Sequence, residues 1–151
     1  EVGTGSGYQA AILAEITQHV WSIESIGELA TSASNRLQEL GYTVHVKHGD
    51  GYAGWSAESP FDAIVVTAAA LEVPPPLASQ LAIGGRLVIP VGQSMWDQTL
   101  WRITRTTDGF RVRAIAGVRF VPLISDQASA SGDEPELAAI RQQLRVLMDG
   151  F

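Results

Sequence analysis

A chain of 151 residues, 46% hydrophobic and 17% charged, has the size and apolar content of one domain with a buried core. Ten Lys and Arg against 16 Asp and Glu give a net charge of −6 with no basic cluster, which argues against nucleic acid as a partner. The lack of cysteine excludes disulfides, thiolate chemistry and Cys-based zinc sites, and fits a reducing, cytoplasmic location. No apolar run approaches the roughly 18 residues of a membrane span, and no signal peptide is expected.

The first eleven residues, from Glu1 through Gly3-Thr4-Gly5-Ser6-Gly7 to Ala11, form a glycine-rich turn that runs into a helix expected over about 8–17. Glycines at alternate positions let the backbone turn sharply and approach a ligand where a Cβ would clash. The free N–H groups and positive dipole end of the following helix point at the same spot, so the turn reads as a seat for a nucleotide-like cofactor.

A short strand is expected at 19–24, then a helix over 26–40 with Ile26, Leu29, Ala30, Ala33, Leu37 and Leu40 near helical spacing and Gly41 as its stop. Tyr42 to His48 alternates like a strand, and Gly49-Asp50-Gly51 forces a turn. Phe61 to Thr67 reads as a strand covered on both faces. Pro74-Pro75-Pro76 opens a short helix expected to end near Ile83, with Gly84-Gly85 as its stop, and Arg86 to Val91 is another buried strand.

Residues 99–106 and 110–123 then suggest an antiparallel hairpin turning at Thr107-Asp108-Gly109. The pattern implies an α/β fold, a doubly wound, mostly parallel sheet of Rossmann-like kind with a C-terminal antiparallel hairpin, over residues 1–124. Residues 125–134 read as a linker. Residues 135–151 read as an amphipathic helix, with Asp133 and Glu136 at capping-box spacing and a stripe of Leu137, Ile140, Leu144 and Leu147 facing the domain or a partner.

Glu24 lies 19 positions after Gly5, at the end of the next strand, where a carboxylate can accept hydrogen bonds from cofactor ribose hydroxyls; the alternative is a solvated acid ending a strand. Asp50 could accept from an adenine amino group while Gly51 lets the ring approach, or the pair could be an ordinary turn. His45 and His48 fall on opposite faces of one strand with no carboxylate motif beside them, as surface histidines do, and no metal site is expected. Trp21, Trp55, Trp96 and Trp101 suit a core or a pocket rim.

Taken in order, Glu1–Ala11, Gly49-Asp50-Gly51, Phe61–Ala69, Gly84–Gly92 and Val118-Arg119-Phe120-Val121-Pro122-Leu123 resemble consecutive motifs of the protein-L-isoaspartate O-methyltransferase family over residues 1–124. The resemblance implies S-adenosylmethionine as cofactor. Glu1, Gly3, Thr4, Gly5 and Gly7 would lie along its methionine and ribose. Glu24 with Ser25 would take the ribose hydroxyls, Asp50 and Gly51 the adenine, and Thr67-Ala68-Ala69 the floor beneath the sulfonium.

Val118, Phe120, Val121, Pro122 and Leu123 would form the substrate-side wall, which in this family holds the peptide through backbone hydrogen bonds. The implied reaction methylates the free carboxylate of L-isoaspartyl residues in damaged proteins, with a monomeric enzyme, and the ester then closes to a succinimide. Such a carboxylate is ionised at neutral pH and needs no general base.

The chain departs from the family in its beginning. Without an initiator Met it is expected to be an internal piece of a longer product, lacking the family's upstream helices and the Ser/Thr loop that contacts the substrate carboxylate, so no catalytic residue is assigned. A first strand reduced to Glu1 and Val2 would leave neighbouring backbone unpaired, and weak cofactor binding with little or no turnover by these residues alone is expected. Two rival readings are a related methyltransferase with another acceptor and a non-catalytic module of the same fold. A nicotinamide dehydrogenase fits less well, because its glycines are spaced Gly-x-Gly-x-x-Gly.

Overall fold

The computed structural model describes residues 1–94, 96–125 and 134–150. In chain order the elements are α1 (Tyr8–Ile16), β1 (Trp21–Glu24), α2 (Gly27–Glu39), β2 (His45–His48), a single 3-10 turn (Ser56–Glu58), β3 (Phe61–Val65), α3 (Pro75–Ser79), β4 (Leu81–Val91), β5 (Gln98–Thr106), β6 (Gly109–Val118) and α4 (Pro135–Met148). α2 buries Ala30, Ala33 and Leu37, which share one helical face. It ends as its sequence dictates: Gly41 takes φ +83°, its N–H donates to the Gln38 carbonyl (3.0 Å), and the Tyr42 N–H donates to that of Leu37 (2.9 Å).

β1 pairs with β2 and β3 with β4, both in parallel, while β4, β5 and β6 form an antiparallel meander. Val2 joins the two groups by parallel bridges to Ile23 on one side and Val66 on the other. The combined order is therefore β2-β1-Val2-β3-β4-β5-β6, doubly wound about Val2. The strand order reverses there, and open α/β sheets bind ligands at the carboxyl ends of strands beside such a reversal. One apolar core spans the sheet, from Val2 and Ile23 through Ile64, Leu87, Ile89 and Ile103 to Leu144 of α4.

Several boundaries differ from the sequence expectation. The helix after Pro74 ends at Ser79, and Leu81–Ile83 belongs to β4. Gly84-Gly85 does not stop a helix. It lies in a bulge, where the register jumps from Phe61↔Leu81 to Ala63↔Arg86. A Cβ on Gly85 would sit 2.8 Å from the Ala82 carbonyl and 2.9 Å from that of Phe61, so the pair is needed for the fold-back of β4 on itself.

β3 is not covered along both faces as expected: Ile64 is buried, while Asp62 and Ala63, on opposite faces, are exposed. Of the strand between β1 and β3 the chain supplies Glu1 and Val2, and below them opens a cleft of about 480 Å³ whose lining includes Trp21, Ile23, Phe61, Ala63 and Val65.

The last strand stops at Val118 instead of 123. Of the expected stripe on α4, Leu144 is buried and Ile140 packs against the core, joined by Met148, while Leu137 and Leu147 are half-buried; Arg141 pairs with Glu72 at 2.8 Å. Its N-cap is Glu134, with no side-chain cap; Asp133 of the expected capping box, like most of the expected linker, lies outside the described residues. Among the described residues no helix is long and apolar enough to cross a membrane.

Candidate active site

Gly3, Gly5 and Gly7 all adopt positive φ, at +94°, +54° and +85°. L side chains avoid that region, so the three alternate glycines make the turn that the chain takes here. The turn is braced from four directions. Thr67 Oγ1 lies 3.0 Å from the Val2 carbonyl and 2.7 Å from that of Gly3, and shares its proton between them. A Cβ on Gly3 would collide with the same hydroxyl.

Glu24, buried at the end of β1, accepts the Gly5 N–H at 2.8 Å and the Ile26 N–H at 3.1 Å. The Thr4 and Ser22 hydroxyls meet at 2.6 Å, and Ser22 donates to Glu1 at 2.5 Å. From α2, Arg36 donates to the Ser6 carbonyl at 2.6 Å.

The turn is open on its remaining side. A Cβ on Gly5 would meet nothing within 4 Å. Gly7 caps α1 without a side-chain bond, and among the described residues the side-chain hydrogen bond to the N–H groups of the first turn is a long one, Tyr8 N–H to Ser6 Oγ at 3.4 Å. Uncapped N–H groups at a helix start attract an anion. Burial pushes the Glu1 carboxyl above the usual carboxylate range, opposed by the Ser22 hydroxyl and the terminal amine. Glu1 Oε1 is buried without a well-formed hydrogen bond, and the similarly unpaired Gln9 amide is near enough to oppose that shift as well.

The other expected residues gather at the same edge. Asp50 Oδ1 accepts the Tyr52 N–H and Oδ2 the Ser125 hydroxyl, both at 2.9 Å. A Cβ on Gly51 would come within 2.6 Å of Val2 Cγ1 and 3.4 Å of Leu123 Cδ1, so this glycine also serves packing beneath the central strand. Ser25 is exposed, and its carbonyl lies 3.1 Å from His48 Nε2. His45 and His48 are both exposed, and His45 stacks on Trp21. Ala68 and Ala69 are buried.

Past Val118 the chain leaves the ladder and crosses the sheet edge. Phe120 is bonded at both its N–H and its carbonyl by the Gln98 side chain, at 2.6 and 3.0 Å. Val121 and Leu123 pair with Ala69 at 2.8 Å each. Thr67 thus clamps the glycine turn, and Ala69, two residues on, holds the late segment.

A sequence model described as "Protein-L-isoaspartate(D-aspartate) O-methyltransferase (PCMT)" matches residues 1–128. The chain belongs to the protein-L-isoaspartate O-methyltransferase family. A relative from Gloeobacter violaceus, named protein-L-isoaspartate O-methyltransferase, is 52% identical over 128 residues, which are 84% of this chain and 62% of the relative. The chain therefore spans about three-fifths of that protein's length.

Among solved structures, a protein-L-isoaspartate O-methyltransferase superposes with a TM-score of 0.77 at 28% identity, covering 83% of this chain and 41% of that one. A protein described as putative in the same family, from Plasmodium falciparum in complex with S-adenosyl-L-homocysteine, gives 0.68 at 28% identity, over 82% and 63%. The Rossmann-like methyltransferase fold expected from the element order is the fold of these relatives.

Within this family fold, the sequence reading found the loops and missed the side chains that fasten them. Thr67 was expected as floor, and its hydroxyl is turned to the glycine turn. Ser22, Arg36 and Gln98 were not singled out. Ser22 sits at an inward position of a four-residue strand, a weak signal; Arg36 and Gln98 have none without the tertiary contact.

Proposed function

We propose that this chain carries the S-adenosylmethionine site and one wall of the acceptor site of a methyltransferase acting on L-isoaspartyl residues of damaged proteins. The observation that carries the proposal is one loop, Thr67–Ala69, that holds the glycine turn at one end and the late Val-Arg-Phe-Val-Pro-Leu segment at the other. Cofactor turn and acceptor wall are thereby fixed to the same three residues.

The residues present fit the cofactor. A carboxylate has about four acceptor positions, and Glu24 uses two on backbone N–H groups, so two remain for ribose hydroxyls. The open face above Gly5 and the uncapped start of α1 suit the carboxylate of the methionine moiety, and the buried Glu1 Oε1 suits its ammonium. Asp50 and Gly51 lie on the adenine side, as Thr67, Ala68 and Ala69 lie toward the reacting end. When bound, S-adenosylmethionine supplies a methyl group already activated on sulfur.

The chain's own task is positioning. An isoaspartyl carboxylate is ionised at pH 7, so no residue has to remove a proton. Holding two reactants in line can contribute roughly 7–11 kcal/mol at the limit. Rigid bracing of the turn by Thr67, Glu24 and Arg36 serves that end. Val118, Phe120, Val121, Pro122 and Leu123 form the wall against which a peptide lies, with the Val121 N–H and the Pro122 and Leu123 carbonyls left without partners among the described residues. The reading includes action as a monomer in the cytoplasm, on proteins and peptides only.

Methyl transfer from labelled S-adenosylmethionine to matched peptides, one with L-isoaspartate and one with L-aspartate, tests this on the chain and on a version extended to its relatives' full length. Transfer to the isoaspartyl peptide alone is expected of the extended version, and little or none of these residues by themselves. Saturable binding of S-adenosylhomocysteine by the extended version without transfer to either peptide would point to another acceptor, and no saturable binding to a non-catalytic module.

A further inference from the structure

The acceptor wall is held by a side chain. Gln98 opens β5 and is 5% exposed, and its backbone pairs with Val118, the last residue of β6. Beyond that pair the ladder has no further rungs, because the chain before Gln98 turns away through Ser94 and Asp97. Gly92 makes room for this turn: a Cβ there would lie 2.7 Å from Gln98 Cα.

At this point the Gln98 amide takes over the role of a backbone. Its Oε1 accepts the Phe120 N–H at 2.6 Å and its Nε2 donates to the Phe120 carbonyl at 3.0 Å. These are the two bonds that a partner strand would make to one residue. Directly after the clamped residue, Val121 and Leu123 pair with Ala69. Pro122 between them has no N–H to add to the pairing.

We propose that Gln98 is a positioning residue for the acceptor peptide: by clamping Phe120 it sets the height and direction of the segment from Arg119 to Leu123, against which the peptide lies. This rests on the reading of that segment as the acceptor wall. The amide offers a donor and an acceptor in one planar group, which neither an ionised Glu nor Met at this position reproduces. Exposed groups at the rim depend on the same segment. Arg119 stacks over Trp96 at 4.1 Å, and Trp96 and Val121 are 77% and 68% exposed.

The test uses the chain extended to its relatives' full length and compares the unsubstituted protein with Gln98→Met and Gln98→Glu by three readouts: S-adenosylhomocysteine affinity, KM and kcat for an isoaspartyl peptide, and amide exchange at Phe120 and Leu123. Two buried hydrogen bonds are lost in Gln98→Met, so KM is expected to rise about tenfold, with kcat and S-adenosylhomocysteine affinity within about twofold and faster exchange at both amides. Gln98→Glu sets a second acceptor against the Phe120 carbonyl. It should behave like Gln98→Met at pH 8 and recover toward the unsubstituted KM at acid pH, where a protonated Glu can donate.

Faster exchange with unchanged KM would overturn the proposal, because the clamped segment would then not bear the peptide. Unchanged exchange would overturn it by removing the clamp. A parallel loss of S-adenosylhomocysteine affinity would reduce Gln98 to a general structural residue. If the unsubstituted full-length version binds S-adenosylhomocysteine yet neither methylates nor binds the isoaspartyl peptide, the acceptor reading itself fails, separately from the clamp that exchange reports.

Discussion

On one side of Val2, β3 to β6 form a four-stranded ladder in which Leu87, Ile89 and Ile103 have no solvent exposure. On the other side β1 and β2 have four residues each, and β2 is exposed at three of its four positions. The first half is held by apolar packing and long ladders. The second is held to it by the two bridges of Val2, by side-chain bonds through Thr67, by Val2 and Ile23 in the shared core and by the edge contact of Trp21 with Phe61. The proposed cofactor contacts fall at this joint, along the glycine turn. Stability and ligand contact are thus separated across the sheet, so substitutions on the two sides should differ in kind as well as in size.

The largest effect is expected in the packed half. Ile103→Ala should lower unfolding free energy by about 2–5 kcal/mol in urea while leaving S-adenosylhomocysteine affinity within about twofold at low denaturant. At the joint the order reverses. Gly3→Ala forces a Cβ onto Thr67 and a strained φ, about 1–3 kcal/mol, and should weaken S-adenosylhomocysteine binding by at least about tenfold in a titration. Thr67→Val leaves the Gly3 carbonyl without its hydroxyl and should lower stability by about 1–2 kcal/mol, again with a loss of affinity. If both joint variants bound like the unsubstituted chain, the separation would be lost.

Glu1 should give effects of opposite sign. Its carboxyl pKa is raised by burial from 4.5, so its contribution to stability is complete below that value and is lost as pH rises through the raised one. Glu1→Gln should therefore make the ligand-free chain more stable at pH 7 and weaken S-adenosylhomocysteine binding there, read by thermal melts with and without ligand. The smallest effect lies at the exposed turn before β5. Ser94, through its N–H and hydroxyl, holds the Asp97 carboxyl below its ordinary 3.8. That tie is present above 3.8 and lost as pH falls through the depressed value, which the Ser94 amide resonance should follow.

Much of the fold was legible because its signals are local. The α2 stop at Gly41 and the alternate glycines before α1 follow from φ preferences that each residue carries with it. Leu81–Ile83 was misread for the converse reason: an apolar tripeptide before two glycines fits a helix end as well as a bulged strand, and only pairing with Phe61 decides. The exposure of Asp62 and Ala63 was not visible in the nearly continuous apolar run of β3, since exposure depends on what packs beside the strand. The site was legible as a set of loops, and its fastenings were not.

The sequence by itself determined the order of elements, the turn built on Gly3, Gly5 and Gly7, and the edge of the sheet at which Glu24, Asp50 and Thr67 emerge. Alternation, helical spacing and positive-φ glycines act within a few residues and need no partner. Only the tertiary structure decided which atoms stay open at the candidate site and which hold it together. Thr67 meets Gly3 across 64 positions, Gln98 meets Phe120 across 22, and Ser125 meets Asp50 across 75. A hydrogen bond depends on distance and angle in space, and those exist only after the sheet has brought its carboxyl ends together.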